Sequence, residues 1–198
     1  QITARLRQPE KASFGQPERK LLLRGYRLLS QSFDRTFGGF GTAPKFPTPH
    51  NLLFLMELYQ KEQLPDALSM AETTLKAMAV GGIFDQIGGG FSRYSTDETW
   101  LVPHFEKMLY DNVLLLAAYS EAFRITKDPL YRDIAGRTAD YLLTELAAPE
   151  GGFFCGQDAD SGGAEGSYYL FTKEEVIRLL GREDGPEFCR LYGITETG

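Results

Sequence analysis

One arrangement recurs along this chain and limits what it can become. A helix with one wet face ends at a Gly-Gly pair followed by an apolar residue, at 38–40, 81–83 and 151–153. A long loop follows. A more apolar helix then begins, twice at Pro-His (Pro49-His50 and Pro103-His104). A short link returns the chain to another wet-faced helix. The segment after Pro49 carries Leu52, Leu53, Phe54, Leu55, Met56 and Leu58, so it is apolar on most sides and belongs in an interior. The segment 65–80 sets Asp66, Glu72 and Lys76 against Leu68, Met70, Leu75 and Met78, which leaves one face in water. Such alternation predicts concentric layers, with apolar helices inside, amphipathic helices outside and the long loops at one end. The expected class is all-α, a partial (α/α)6 toroid of helical hairpins. A closed toroid of six hairpins at roughly 50–60 residues each needs about 300 residues or more, so this chain holds about three hairpins. Residues 1–17 are polar and aperiodic and read as a linker or arm, with the toroid part at 18–198.

Local signals place the elements. Thr48 is expected to cap a helix that Pro49 begins, and Pro65 begins the next. Pro103 is expected to start the longest helix, running to about residue 124. Asp128 and Pro129 open another, and Thr172 with Glu175 forms a capping box. Ile83-Phe84 and Phe91–Tyr94, on either side of Gly88-Gly89-Gly90, predict a short β-hairpin inside the central loop.

Composition narrows the function classes. Net charge is −6 and the basic residues are scattered, so no nucleic-acid footprint is present. The longest apolar run, Val113 to Tyr119, is too short to span a bilayer, and no signal peptide is read at the N-terminus. Cys155 and Cys189 form neither CxxC nor metal spacing, and free thiols point to a cytoplasmic or organelle-matrix setting. The glycine-rich GGGFSR segment lacks phosphate-loop spacing. Asp158, Asp160 and Gly163 mimic the start of a calcium loop, but Tyr169 stands where the bidentate Glu belongs. No metal and no cofactor are expected.

The candidate chemistry sits in the loops. His104 at a helix start would be a neutral imidazole, available as general base or hydrogen-bond partner. Asp111, two turns on, would lie along the same stripe. Arg93, Tyr94, Asp97 and Trp100 suit a sugar, whose hydroxyls bridge charged groups while its apolar face stacks on a ring. Asp158 and Asp160 offer paired carboxylates for acid–base work on a glycoside. Lys45, Glu165 and Tyr168 complete the expected substrate contacts. For each group a plainer role competes: ion-paired loops, turn formation by Asp, Ser and Gly, or a solvated lysine.

Three blocks carry a family resemblance: GGFGTAPKFP at 38–47, GGIFDQIGGGFSRYSTDETWLVPHFEKMLYDN at 81–112 and EGGFFCGQDADSGGAEGSYYLF at 150–171. Over about residues 18–198 the chain resembles the spermatogenesis-associated, thioredoxin-domain-containing family, the bacterial YyaL-type proteins. The resemblance implies a six-hairpin toroid similar to N-acylglucosamine 2-epimerases and glycoside hydrolases. In full-length members this toroid follows a thioredoxin-like domain, which these residues do not include. The implied ligand is a small carbohydrate, and the implied reaction is sugar epimerisation, isomerisation or glycoside processing. His104, Asp111, Asp158 and Asp160 would be catalytic. The alternative is a scaffold whose cleft binds a peptide or the thioredoxin-like domain. An uncovered apolar edge of the helix layers would also favour a homo-oligomer, closed as an isologous dimer.

Overall fold

The computed structural model describes residues 18–197. The expected arm at 1–17 lies outside the described residues. Six helices are present among the described residues: α1 (Arg19–Ser32), α2 (Pro49–Glu62), α3 (Pro65–Val80), α4 (Leu109–Thr126), α5 (Pro129–Tyr141) and α6 (Lys173–Tyr192). A π-helical turn, Leu142–Leu146, extends α5. The strands are two residues long and confined to loops: β1 (Tyr94–Ser95), β2 (Pro103–His104), β3 (Lys107–Met108), β4 (Gly156–Gln157), β5 (Asp160–Ser161) and β6 (Ala164–Glu165). No helix among the described residues is long and apolar enough to cross a membrane.

The helices pair as hairpins, α2 with α3 and α4 with α5, and α2 also packs on α4. That is the layering of a toroid wall, with α2 and α4 on the inner side. One core cluster joins Leu52, Leu55 and Met56 of α2 to Leu75 and Met78 of α3 and Leu115 and Tyr119 of α4. The Tyr119 hydroxyl donates to the Leu75 carbonyl at 2.7 Å, so this buried polar tip is satisfied. The expectation that α3 keeps a wet face holds at Lys76, yet seven of its residues, including Thr74, are buried.

Several starts follow their sequence signals. Asp128 caps α5 by accepting from Leu130 N–H, and the Thr172–Glu175 capping box is formed. Gly181, at φ 83°, breaks α6 into two helical pieces. Thr48 departs from expectation. It adopts a left-handed backbone, φ 41°, makes no cap bond, and buries its hydroxyl unpartnered.

Pro103 also departs. It does not start a helix: residues 103–108 run extended, and α4 begins at Leu109. The reason is pairing. Tyr94–Ser95 bonds antiparallel to Pro103–His104, and Gly156–Gln157 bonds antiparallel to Lys107–Met108, so both ends of the segment gain ladder partners. His104 therefore has no helix dipole behind it and shares no helical stripe with Asp111.

The loops reveal a repeat finer than the one read from the sequence. Asp34–Phe40 and Asp85–Phe91 are the same turn. In each, the aspartate Oδ1 accepts two backbone N–H bonds (Thr36 and Phe37; Ile87 and Gly88). The aspartate N–H donates to the second-to-last residue's carbonyl, Gly39 or Gly90, at 3.0 Å in both. A bridge closes each, Phe33 with Phe40 and Phe84 with Phe91. The expected central hairpin is thus a single bridge. A shorter relative of the turn recurs where Ala147 pairs with Phe153. The equivalent glycines are consequently 38–39, 89–90 and 151–152, which corrects the assignment of Gly81-Gly82. Those two serve close approach instead, since a Cβ on Gly81 would meet the Trp100 carbonyl oxygen at 2.5 Å. Each turn is bridged onward to the next: Lys45 pairs with Ser95, and Lys107 with Gln157. The three long loops are joined in this way at one end of the helices.

Candidate functional site

The extended segment 103–108 sorts side chains by parity, as a strand must. His104 and Glu106 face one way, while Phe105 and Lys107 border cavities on the other side. Two clusters result.

The first gathers His104, Arg93, Tyr94, Glu106, Asp111 and Glu165. His104 Nδ1 lies 2.6 Å from Glu165 Oε1, and its ring stacks on Tyr94 with centroids 4.9 Å apart. Tyr94 in turn packs on Phe46, at 4.9 Å. A carboxylate accepts, so the proton of a neutral imidazole sits on Nδ1 and Nε2 presents its lone pair. Arg93 donates to Glu106 Oε2 at 2.9 Å, and Glu106 Oε2 is 3.9 Å from His104 Nε2. Asp111, in the first turn of α4, has a buried Oδ2 with no hydrogen-bond partner. Burial pushes its carboxyl up to about 6; the Arg93 charge opposes this and the Glu106 charge adds to it. A base with an orienting carboxylate and a carboxyl poised near neutrality therefore share one neighbourhood.

The second cluster surrounds a cavity of about 280 Å³ bordered by Asp85, Lys107, Tyr141, Gln157, Asp158 and Tyr168, among others. Lys107 is buried, and its ammonium donates to Asp85 Oδ2 at 2.8 Å and to the Gly89 carbonyl at 2.9 Å. It lies 4.7 Å from the Tyr141 ring centroid and 5.1 Å from that of Tyr169. Burial lowers the Lys107 pKa, partly offset by Asp85. Burial raises Asp85, but the Lys107 ammonium and the turn N–H groups outweigh it and hold the carboxyl below its ordinary range. The Tyr141 hydroxyl donates to Gln157 Oε1 at 2.9 Å.

The remaining candidates have other occupations. Lys45 is fully buried, donating to Asp34 Oδ2 at 2.5 Å and to the Glu98 carbonyl at 2.8 Å. Trp100 is fully buried over it, with its indole N–H on the Phe37 carbonyl, and has no face open to a ligand. Asp97 organises its own loop, accepting from Thr99, Leu101 and Val102 N–H groups. Burial raises this carboxyl, but the Thr99 hydroxyl and those N–H groups prevail and hold it at about 2. Asp160 stands opposite Glu165 in the β5–β6 pair, outside the cavity that Asp158 borders. Sequence reasoning missed Lys107, Asp85 and Glu106. The signal available was the duplicated Asp-x-x-x-Gly-Gly-Phe turn, each copy followed by a lysine ahead of the next helix.

No protein-family model matches the chain. The solved structures it is similar to define the class. It superposes on a cellobiose 2-epimerase from Bacillus thermoamylovorans with a TM-score of 0.61 at 12% identity, over 88% of this chain and 55% of that one. A family 76 glycoside hydrolase (mannosidase) from Bacteroides thetaiotaomicron gives 0.55 at 16%, over 65% and 36%. The fold is that of the (α/α)6 toroids, present here in part. Within that class the resemblance is to the spermatogenesis-associated family: the chain is 42% identical over 194 residues to spermatogenesis-associated protein 20 from Homo sapiens, covering 88% of this chain. It spans about 25% of the length of that relative.

Proposed function

We propose that residues 18–198 are part of a carbohydrate-processing toroid, with the His104 cluster as its acid–base centre. The observation that carries this is the placement of His104, oriented by Glu165 at 2.6 Å, in one cluster with Asp111, whose carboxyl is pushed up to about 6. Sugar epimerisation, isomerisation and glycoside cleavage all need one group to take a proton and another to give one. His104 Nε2 is the base. Asp111 in its protonated form is the acid. Arg93, held by Glu106, supplies a charged hydrogen-bond donor for a sugar, and Tyr94 stacks on the His104 ring and steadies it. The likeness to sugar epimerases and glycosidases supports the class through the fold. It leaves the choice among the three reactions to the sugar's own chemistry.

The test is turnover of a panel of hexoses and disaccharides in deuterated water, read by NMR. Solvent deuterium at the carbon beside the carbonyl, or release of a free sugar, is expected. Loss of about 10²-fold or more is expected in His104→Ala and in Asp111→Ala. Peptide binding with no sugar turnover would favour the scaffold reading instead.

A further inference from the structure

The two copies of the aspartate turn are a built-in control. In each, an aspartate Oδ2 holds a buried lysine, and two aromatic rings lie over the ammonium. Counting from the aspartate, Phe37 of the first copy corresponds to Gly88 of the second. Phe37 lies 5.8 Å from Lys45 Nζ and helps to seal it, whereas Gly88 borders the 280 Å³ cavity beside Lys107. The next loop repeats the contrast. Five positions beyond Ser95, which bridges to Lys45, stands Trp100; five beyond Gln157, which bridges to Lys107, stands Gly162, next to the cavity residue Ser161. An ion pair serving stability alone is complete in the first copy. The second copy has the same pair, its lysine covered by Tyr141 and Tyr169 instead, with glycine at both aligned positions and a cavity beside them.

We infer that the cavity over Lys107 is a binding site for an uncharged, hydroxyl-rich ligand, a single pyranose unit. The border is rich in acceptors: Asp158, Glu145 and Gln157 lie in reach of ligand hydroxyls, and Tyr168, largely exposed, offers a ring for the C–H face of a sugar. Three carboxylates, Asp85, Glu145 and Asp158, stand around one ammonium. The net negative border repels phosphorylated and acidic sugars, and the one cation is already neutralised by Asp85. The choice of a sugar among polyols rests on the carbohydrate reading above; the existence of the site rests on the turn comparison.

The experiment is calorimetric titration of the full chain with glucose, mannose, cellobiose, glucose 6-phosphate and glucosamine, repeated on variants. A neutral sugar is expected to bind, with glucose 6-phosphate at least tenfold weaker than glucose. Gly88→Phe, which restores the first copy's seal, is expected to weaken binding at least tenfold. Tyr168→Ala, at an exposed ring, keeps the test open if Gly88→Phe does not fold, and should weaken binding about fivefold. Full affinity in both variants with loss in Asp111→Asn would place the sugar at the acid–base cluster, overturning the cavity site and leaving the proposed function standing. Tighter binding of glucose 6-phosphate than of glucose would overturn the charge argument. Binding of glucosamine alone would make the site one for organic cations and overturn the ligand class. Absence of any binding would overturn the cavity site, while turnover in deuterated water still decides the proposed function on its own.

Discussion

Asp34–Phe40 and Asp85–Phe91 fold identically and end in different surroundings. Both use the aspartate twice, Oδ1 on the turn's own N–H groups and Oδ2 on a lysine from further along the chain. Around Lys45 the space is filled by Phe37 and Trp100, and its side chain is 0% exposed, against 3% for that of Lys107. Around Lys107 the rings are tyrosines, and the space beyond them is a cavity. The comparison separates what a buried ion pair does for the fold from what it does for a site. A buried lysine needs a carboxylate in either setting, because an unpaired ammonium in a dry interior is costly. A ligand-sized space lies next to the second pair.

The sharpest way to break the comparison is to remove each aspartate in turn. Asp34→Ala strands the fully buried Lys45 beneath Phe37 and Trp100 and is expected to cost about 3–5 kcal/mol in denaturant unfolding. Asp85→Ala strands Lys107 beside a cavity that water can enter, so a smaller loss, about 1–3 kcal/mol, is expected. Equal losses would remove the distinction. Trp100→Ala comes next. It deletes the ring over Lys45 and should cost about 3–5 kcal/mol, the range for large core aromatics, in the same unfolding experiment.

Asp111 is the carboxyl without a lysine and serves as the contrasting case. Its folded pKa of about 6 lies above the 3.8 of an unfolded aspartate, so the native state binds the extra proton. Stability from this group is complete below pH 4 and is lost as pH rises through 6. Asp111→Asn is therefore expected to be more stable than the parent at pH 8, by up to about 3 kcal/mol, with the advantage shrinking toward pH 4. Thermal unfolding across that range checks it, and a stability difference independent of pH would refute the assignment. The smallest effect is Tyr141→Phe. It removes the hydroxyl bond to Gln157 at the cavity wall and should cost about 1 kcal/mol.

The helices were legible because their signals are local. Proline at the first position of α3 and α5, Asp128 as a cap and the Thr172–Glu175 box act within a few residues. The layering was legible because α2 shows an apolar surface wider than one neighbour needs. His104 was misplaced because Pro103 satisfies a strand as well as a helix start, and the partners that decided it lie elsewhere: Tyr94-Ser95 earlier in the same loop and Gly156-Gln157 in the next one. Lys45 and Trp100 read as ligand contacts because residue type alone does not say which way a loop side chain points. The structure turns both inward, against Asp34 and Phe37. Lys107 was overlooked for the same reason: its partner Asp85 is 22 residues away. His104 and Glu165 come together because the loops at 81–108 and 147–172 meet, whereas Trp100 is buried elsewhere and Asp158 borders the cavity over Lys107.

The claim that one ion pair is sealed and the other lines an open site is tested most directly by lysine acetylation of the native chain with acetic anhydride at pH 8, followed residue by residue by mass spectrometry. Lys107, with its pKa lowered by burial and a cavity beside it, is expected to react at least tenfold faster than Lys45 and to slow in Gly88→Phe. Lys45 should react only at the rate of global unfolding. Equal protection of the two lysines, unchanged by Gly88→Phe, would contradict the account.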